Sequence, residues 1–284
     1  MRRKIAPYLL ILPGGLWLVI FLVVPLVFMA SVSTQEGDVV NGFVQTFHLA
    51  NFTDALVEYK TQFLRSAGYG LAGTLLTIAL AYPVAYWIAF KGGARKSTYL
   101  LLVLLPFFVS FVLRTVSWKF LLADDGILLQ PLKDLGLVPA GFHVLQTTVA
   151  VVGGLTYNYL PFMILPIYVA LERVDPRVVE ASYDLYSTAR DSFTKIVLPL
   201  SLPGVFAGVL MTFVPMTSDY VNASILGGPS NTMIGNIIQT EYLVNNDYPA
   251  GAALSFTLMA AMLIGIFVYA KALGTENVLE AAAR

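Results

Sequence analysis

The chain has 284 residues, of which 57% are hydrophobic and only 12% charged, with no cysteine and a mean hydropathy of +0.75. Soluble domains carry about twice that share of charge, so the balance points to a bilayer as the main solvent and excludes disordered, collagenous and disulfide-stapled classes. A formal net charge of zero removes the basic footprint of a nucleic-acid binder, and the missing cysteines remove thiolate nucleophiles, thiolate zinc sites and iron–sulfur clusters.

Hydropathy predicts about six spans, each needing roughly 20 apolar residues. The first, Tyr8–Val32, follows Arg2, Arg3 and Lys4 and is too long for a signal-peptide core, so it reads as an uncleaved anchor. The second, Ser66–Phe90, contains Gly68-Tyr69-Gly70-Leu71-Ala72-Gly73. That spacing matches a dinucleotide fingerprint, but no strand or βαβ unit surrounds it, and helix packing is the expected role. Lys96-Ser97 lacks the glycine and the strand of a phosphate loop. The third span, Tyr99–Leu122, carries Arg114 late in its length, and the fourth, Gln146–Leu171, carries Tyr157, Asn158 and Tyr159, with Pro161 marking a local break. The fifth and sixth are Leu200–Val221 and Gly251–Ala272. His48 and His143 are too isolated for a metal site and are expected to be solvated or interfacial. Asn51-Phe52-Thr53 fits a glycosylation sequon and is assigned no role.

Lysine and arginine favour one side of this arrangement: Arg2, Arg3, Lys4, Lys91, Arg95, Lys96, Arg173, Arg177, Arg190, Lys195 and Lys271 share it, which makes that side and both termini cytoplasmic. The other side is acidic, with Glu36, Asp38, Asp54, Glu58, Asp124, Asp125, Asp134, Glu241 and Asp247. Such a surface attracts cations, although the positive-inside bias alone leaves the same residues outside.

Between the fourth and fifth spans lies a long cytoplasmic loop, Glu172–Pro199. Asp175 can cap a helix that starts at Pro176, and Val178, Ala181, Ser182 and Leu185 follow at helical spacing. The small, mildly apolar face that results suits either the protein's own bundle or a groove in a cytosolic partner.

Glu180-Ala181-Ser182, three residues, Tyr186, nine residues, then Ile196-Val197-Leu198-Pro199 resembles the EAA loop of binding-protein-dependent ABC transporter permeases, which has alanine at Ser182 and glycine at Tyr186. A tyrosine there is penalised at positive φ, so a bend of different shape, or one displaced to a neighbour, is expected. The resemblance runs along nearly the whole chain. Leu105-Pro106-Phe107-Phe108, Leu160-Pro161-Phe162-Met163, Leu226-Gly227-Gly228, Met233-Ile234-Gly235-Asn236 and Asp247-Tyr248-Pro249-Ala250-Gly251-Ala252-Ala253 look like the PotB-type spermidine/putrescine permeases.

The resemblance implies an all-α, six-helix type I ABC importer (MetI-like) fold in the cytoplasmic (inner) membrane. Residues 1–284 would form one transmembrane permease domain in contact with lipid, and 172–199 a coupling loop within it. It also implies a second homologous permease subunit, a cytosolic ABC ATPase dimer that binds ATP and Mg, an extracytoplasmic substrate-binding protein, and no cofactor or catalysis in this chain. Glu180, Ala181, Ser182, Leu185, Tyr186, Ile196, Leu198 and Pro199 are the coupling residues implied.

Ionisable groups inside spans are costly and usually functional, so Arg114 and Asp219, with Tyr220, Tyr157 and Asn158, are the candidates for contact with a small cationic substrate. The alternative is an Arg114–Asp219 ion pair. Gly204 and Gly208 form a GxxxG pattern suited to a subunit seam or an internal contact, and Pro215 should free a carbonyl near Asp219. Related permeases carry thiamine, aminophosphonates or ferric iron, which keeps the substrate open. A stand-alone secondary transporter would be expected to show an internal repeat, and an intramembrane enzyme a catalytic constellation; neither is seen in the sequence.

Overall fold

The computed structural model describes residues 11–272. Arg2, Arg3, Lys4 and the start of the first expected span lie outside the described residues, as do both termini. In chain order the elements are α1 (Ile11–Val32), β1 (Gln35–Asp38), β2 (Gly42–Gln45), α2 (Ala50–Glu58), α3 (Lys60–Lys91), α4 (Lys96–Leu104), α5 (Phe111–Leu121), α6 (Leu129–Asp134), α7 (Thr148–Glu172), α8 (Pro176–Asp184), α9 (Ala189–Ser218), α10 (Ile234–Leu243) and α11 (Tyr248–Ala272). They fall into two compact units, residues 11–60 with 237–261 and residues 61–236 with 262–272.

Among the described residues, five helices are long and apolar enough to cross a membrane: α1, α3, α7, α9 and α11. The expected third span is not a single straight helix. Residues Gly93–Phe108 and Phe111–Leu121 meet at 88°, and they supply a sixth span if the bent pair is counted as one. Pro106 cannot donate to the helix, and Val109 and Ser110 then take extended ψ values of 138° and 136°, which ends one limb before Phe111 starts the next. The fifth span also differs, running from Ala189 to Ser218 rather than from Leu200 to Val221.

In the first unit, α1 widens to a π turn over Val19–Val23 just ahead of Pro25, whose ring would clash with a tighter helix. The most apolar stretch of α1 buries none of its residues, as suits a helix bathed in lipid. The β1–β2 hairpin was not foreseen in the sequence. Its turn is closed by Asp38, which accepts from the backbone N–H groups of Val40 and Asn41 at 2.8 and 2.7 Å. The Asn41 backbone N–H is the chief cause that holds the Asp38 carboxyl below its ordinary value, so this contribution is present above the usual aspartate pKa and lost as pH falls through the lowered one.

The second unit is built on α3, α7 and α9. Ala81, Ala85 and Ala89 of α3 meet Met163, Ile164, Ile167 and Leu171 of α7 and Val197 of α9. Helices in lipid gain little from the hydrophobic effect and associate by close packing, which small residues permit. Gly204 and Gly208 serve this purpose within the chain: a Cβ on Gly204 would lie 2.5 Å from both the Ala170 Cβ and the Pro166 carbonyl, and one on Gly208 would lie 2.5 Å from the Met163 sulfur. Gly70 and Gly73 of the dinucleotide-like string play the same part, facing Thr217 and Met216. Span hydroxyls return to their own backbone or to each other, as with Thr212 to the Gly208 carbonyl at 2.9 Å and Tyr82 with Ser201 at 2.7 Å.

Gly204→Leu is expected to force α7 and α9 apart and destabilise the protein by about 1–3 kcal/mol. Gly68→Ala, placed in open space on α3, should be neutral or stabilising by up to about 1 kcal/mol. Thermal unfolding midpoints in detergent compare the two.

Candidate functional site

The C-terminal end of α9 is irregular. Pro215 removes one helix hydrogen bond, Ser218 returns its hydroxyl to the Val214 and Pro215 carbonyls at 3.3 Å, and Asp219 leaves the helix with ψ 116°. The chain then re-enters the protein as a wide turn over Ala223–Gly227. Asp219 starts that turn as a cap: its Oδ1 accepts from the Asn222 backbone N–H at 2.9 Å. Its Oδ2 accepts from Asn222 Nδ2 at 2.9 Å and from the Tyr159 hydroxyl of α7 at 3.2 Å. Asn158, on the same helix, donates to Asn222 at 3.2 Å and to Thr115 of α5 at 3.1 Å. A buried chain of polar groups thus joins α5, α7 and the segment after α9.

Arg114 does not pair with Asp219; no ion pair joins them among the described residues. Its guanidinium lies 4.5 Å from the ring centre of Phe107 and 5.8 Å from that of Phe111, spanning the break between the two limbs. It is 8% exposed, and its Nε and Nη1 have no hydrogen-bond partner. The Asn158 Oδ1 is likewise without a donor. The site therefore holds a spare acceptor on Asn158, on the helix next to the arginine's, and a fully bonded carboxylate. Tyr157 packs edge-on to Trp118 at 5.2 Å, and Tyr220 is half-exposed, with its carbonyl accepting from Asn236 at 2.9 Å. Of the sequence candidates, Asp219 and Asn158 share one network, whereas Arg114, Tyr157 and Tyr220 do not bond to it. Asn222 and Thr115 were missed. The spacing Asp219-x-x-Asn222 is a capping signal that would have revealed the first.

The loop between α7 and α9 forms the expected helix. Asp175 caps α8 by accepting from the Arg177 N–H at 2.9 Å, and Pro176 takes the first position. The expected reshaping of the bend does not occur: Tyr186 itself takes φ 59°. The reason is the closure of α8, in which Ser187 N–H reaches the Ser182 carbonyl and Tyr186 N–H the Tyr183 carbonyl, both at 3.0 Å. That pair of bonds requires a left-handed residue at position 186. Ser182 is buried and bonds Ser192 at 2.9 Å, tying α8 to the first turn of α9. Glu180, Ala181, Leu185 and Tyr186 are exposed. Ile196 sits in a π turn, Phe193–Val197, from which Leu198 and Pro199 continue α9.

In the first unit, four of the acidic residues gather around a cavity of about 410 Å³: Asp54, Glu58, Glu241 and Asp247, with Tyr59. Burial and its 2.9 Å hydrogen bond to Glu241 push the Tyr59 hydroxyl above its ordinary value. His48 bonds Glu36 at 2.7 Å, and His143 approaches the Gly141 carbonyl at 3.3 Å.

No protein-family profile matches the chain. It is 33% identical over 257 residues to the spermidine/putrescine transport system permease protein PotB of Haemophilus influenzae, covering 90% of each chain. It is 32% identical to PotB of Escherichia coli, with 90% of this chain and 94% of the relative covered. An inner membrane ABC transporter permease protein of Escherichia coli, YdcU, is 34% identical over 76% of this chain and 72% of its own. Among solved structures, a bacterial ABC transporter involved in import of the acidic polysaccharide alginate has a chain that superposes with a TM-score of 0.68 at 19% identity, over 94% of both chains. The same transporter type in complex with its alginate-bound periplasmic protein gives 0.70. These likenesses show the type I importer permease fold.

Asn222→Ala is expected to remove the side-chain donor to Asp219 and the acceptor of Asn158 while keeping the backbone N–H bond to Asp219, and to destabilise the protein by roughly 1–3 kcal/mol. Tyr220→Ala, at a half-exposed ring, should lie below about 1 kcal/mol. Unfolding midpoints of the two variants in detergent check the difference.

Proposed function

Because the chain belongs to the family of PotB-type ABC transporter permease proteins, we propose that it forms half of a translocation pathway for spermidine and putrescine in the inner membrane, with both termini cytoplasmic. A second, similar permease supplies the other half, an extracytoplasmic binding protein delivers the amine, and a cytosolic ATPase pair binds ATP and Mg and hydrolyses the nucleotide. This chain is the non-catalytic membrane subunit.

One observation carries the mechanism: α9 begins in the loop that resembles the EAA motif and ends at the buried carboxylate of Asp219. A movement of α8, tied to α9 by the Ser182–Ser192 bond, reaches Asp219 through one packed helix. The carboxylate suits an alkylammonium. Its present partners, Asn222 and Tyr159, are neutral donors that a cationic N–H can replace. At about 4 Å a unit charge pair is worth about 4 kcal/mol at an effective dielectric near 20, which exceeds the neutral hydrogen bonds exchanged for it. Asn158 and the aromatic groups Tyr157 and Tyr220 complete the surroundings proposed for the pathway, and Arg114, positive and unpaired, sets a barrier that favours passage of the cation along the Asp219 side.

Asp219→Asn retains a capping side chain and removes the charge. In the reconstituted complex it should lower spermidine uptake at least about tenfold while the complex assembles and its ATPase still responds to loaded binding protein. Unchanged uptake removes Asp219 from the pathway. If the unmutated complex ignores both amines while another loaded binding protein stimulates its ATPase, the polyamine reading fails and the importer reading stands. Glu180→Lys should uncouple ATP hydrolysis from uptake, measured as ATPase turnover per amine transported; normal coupling in that variant removes Glu180 from the coupling loop.

A further inference from the structure

The tip of the loop combines two unfavourable features. Tyr186 is a bulky residue in the left-handed region, at φ 59°, where glycine is at ease and a Cβ-bearing side chain is not. Its ring is also 97% exposed, beside Leu185 at 79%. The side chain makes no hydrogen bond or aromatic contact among the described residues. Glycine would relieve both features at once, because the closure of α8 asks only for positive φ and uses only backbone groups. The two backbone bonds that close α8 hold the tyrosine in this conformation, and its ring gains no hydrogen-bond or aromatic partner among the described residues.

The turn that carries it is nonetheless closed by hydrogen bonds. Its two backbone bonds close at 3.0 Å, and the buried Ser182–Ser192 bond fixes α8 against α9 directly beneath. Glu180 and Asp184 lie one helical turn apart on α8, both exposed and neither in an ion pair among the described residues. A preorganised aromatic knob, with an apolar neighbour and two free carboxylates beside it, is the anatomy of a binding anchor rather than of a solvated loop.

We propose that Tyr186 is the anchor by which this permease grips its ATPase: the ring enters an apolar socket on the cytosolic subunit whose rim carries basic groups facing Glu180 and Asp184. The proposal rests on the coupling-loop reading of Glu172–Pro199 and adds to it a residue at which the turn itself would prefer glycine. The surface is continuous with the exposed coupling residues Glu180 and Ala181, so the occupant is the same ATPase. The partner's cover removes the exposure of the ring, while the positive φ, fixed by the closure of α8, stays as it is.

The test uses the assembled complex in nanodiscs, with Tyr186→Gly, Tyr186→Phe and Glu180→Lys compared with the unmutated protein. Dissociation of the ATPase after dilution and hydrogen exchange at the amides of residues 186 and 187 are both followed. Tyr186→Gly fits the observed φ and should fold. Its turn amides should exchange no faster than before, yet its ATPase should dissociate about tenfold faster, a loss typical of an interface anchor. Tyr186→Phe should stay within about twofold of the unmutated rate, because the ring fills the socket without its hydroxyl. A merely structural tyrosine would give the opposite pattern, with looser turn amides and an unchanged dissociation rate in Tyr186→Gly. If Tyr186→Gly holds its ATPase normally while Glu180→Lys releases it, the anchor is overturned and the coupling loop stands. If neither variant alters dissociation, the coupling-loop reading falls, and the anchor with it.

Discussion

The close approach of α7 and α9 at Gly204 and Gly208 is the contact on which the second unit depends. Without side chains at these positions, α9 lies directly on Pro166, Ala170 and Met163, and the antiparallel register of the two helices is fixed. That register brings the end of α9 level with Tyr159, so that its hydroxyl can reach Asp219. It also fixes the start of α9 near the end of α7, so the intervening loop folds as one capped helix and a tight turn. In lipid, where apolar side chains gain little by touching one another, such a contact must be made by shape.

Shape alone leaves the backbone exposed wherever a helix breaks, and polar side chains answer this throughout the unit. Asn231 donates to the Gln146 and Gly227 carbonyls at 2.8 Å and accepts from Tyr69 at 2.7 Å, closing the loop that follows the wide turn Ala223–Gly227. Asn236 accepts from the Met233 N–H at 2.9 Å and donates to the Tyr220 carbonyl and to Ser224. Gly235 presses against the Ser218 carbonyl, where any side chain would collide. Irregular backbone at membrane depth is tolerated only with this kind of internal satisfaction. Asp219 serves the same end by capping the turn that follows α9.

Much of this was legible in the sequence because it follows from local chemistry. The number of spans followed from apolar length, though the third is bent and the fifth starts earlier, and the Asp175–Pro176 helix start followed from capping rules. In the glycine string Gly68–Gly73, Gly70 and Gly73 serve packing as expected, while Gly68 faces open space. Other features depend on contacts between distant residues. The Arg114–Asp219 pair looked plausible because both lie late in their spans, but the break at Pro106 turns Arg114 back onto Phe107 and Phe111. The acidic cavity joins Asp54 and Glu58 to Glu241 and Asp247, far apart in the chain. Tyr186 was expected to shift the bend because its residue type disfavours positive φ; the two backbone bonds that close α8 outweigh that preference.

The bend between Phe108 and Phe111 has a further consequence. A guanidinium laid across aromatic rings from both limbs holds their angle by the polarisable faces of Phe107 and Phe111, with water largely excluded. Ions in the surrounding medium screen exposed charges strongly and such a contact weakly. The contact across the bend is therefore expected to persist in dilute and in concentrated electrolyte alike, whereas exposed acidic surfaces respond to salt.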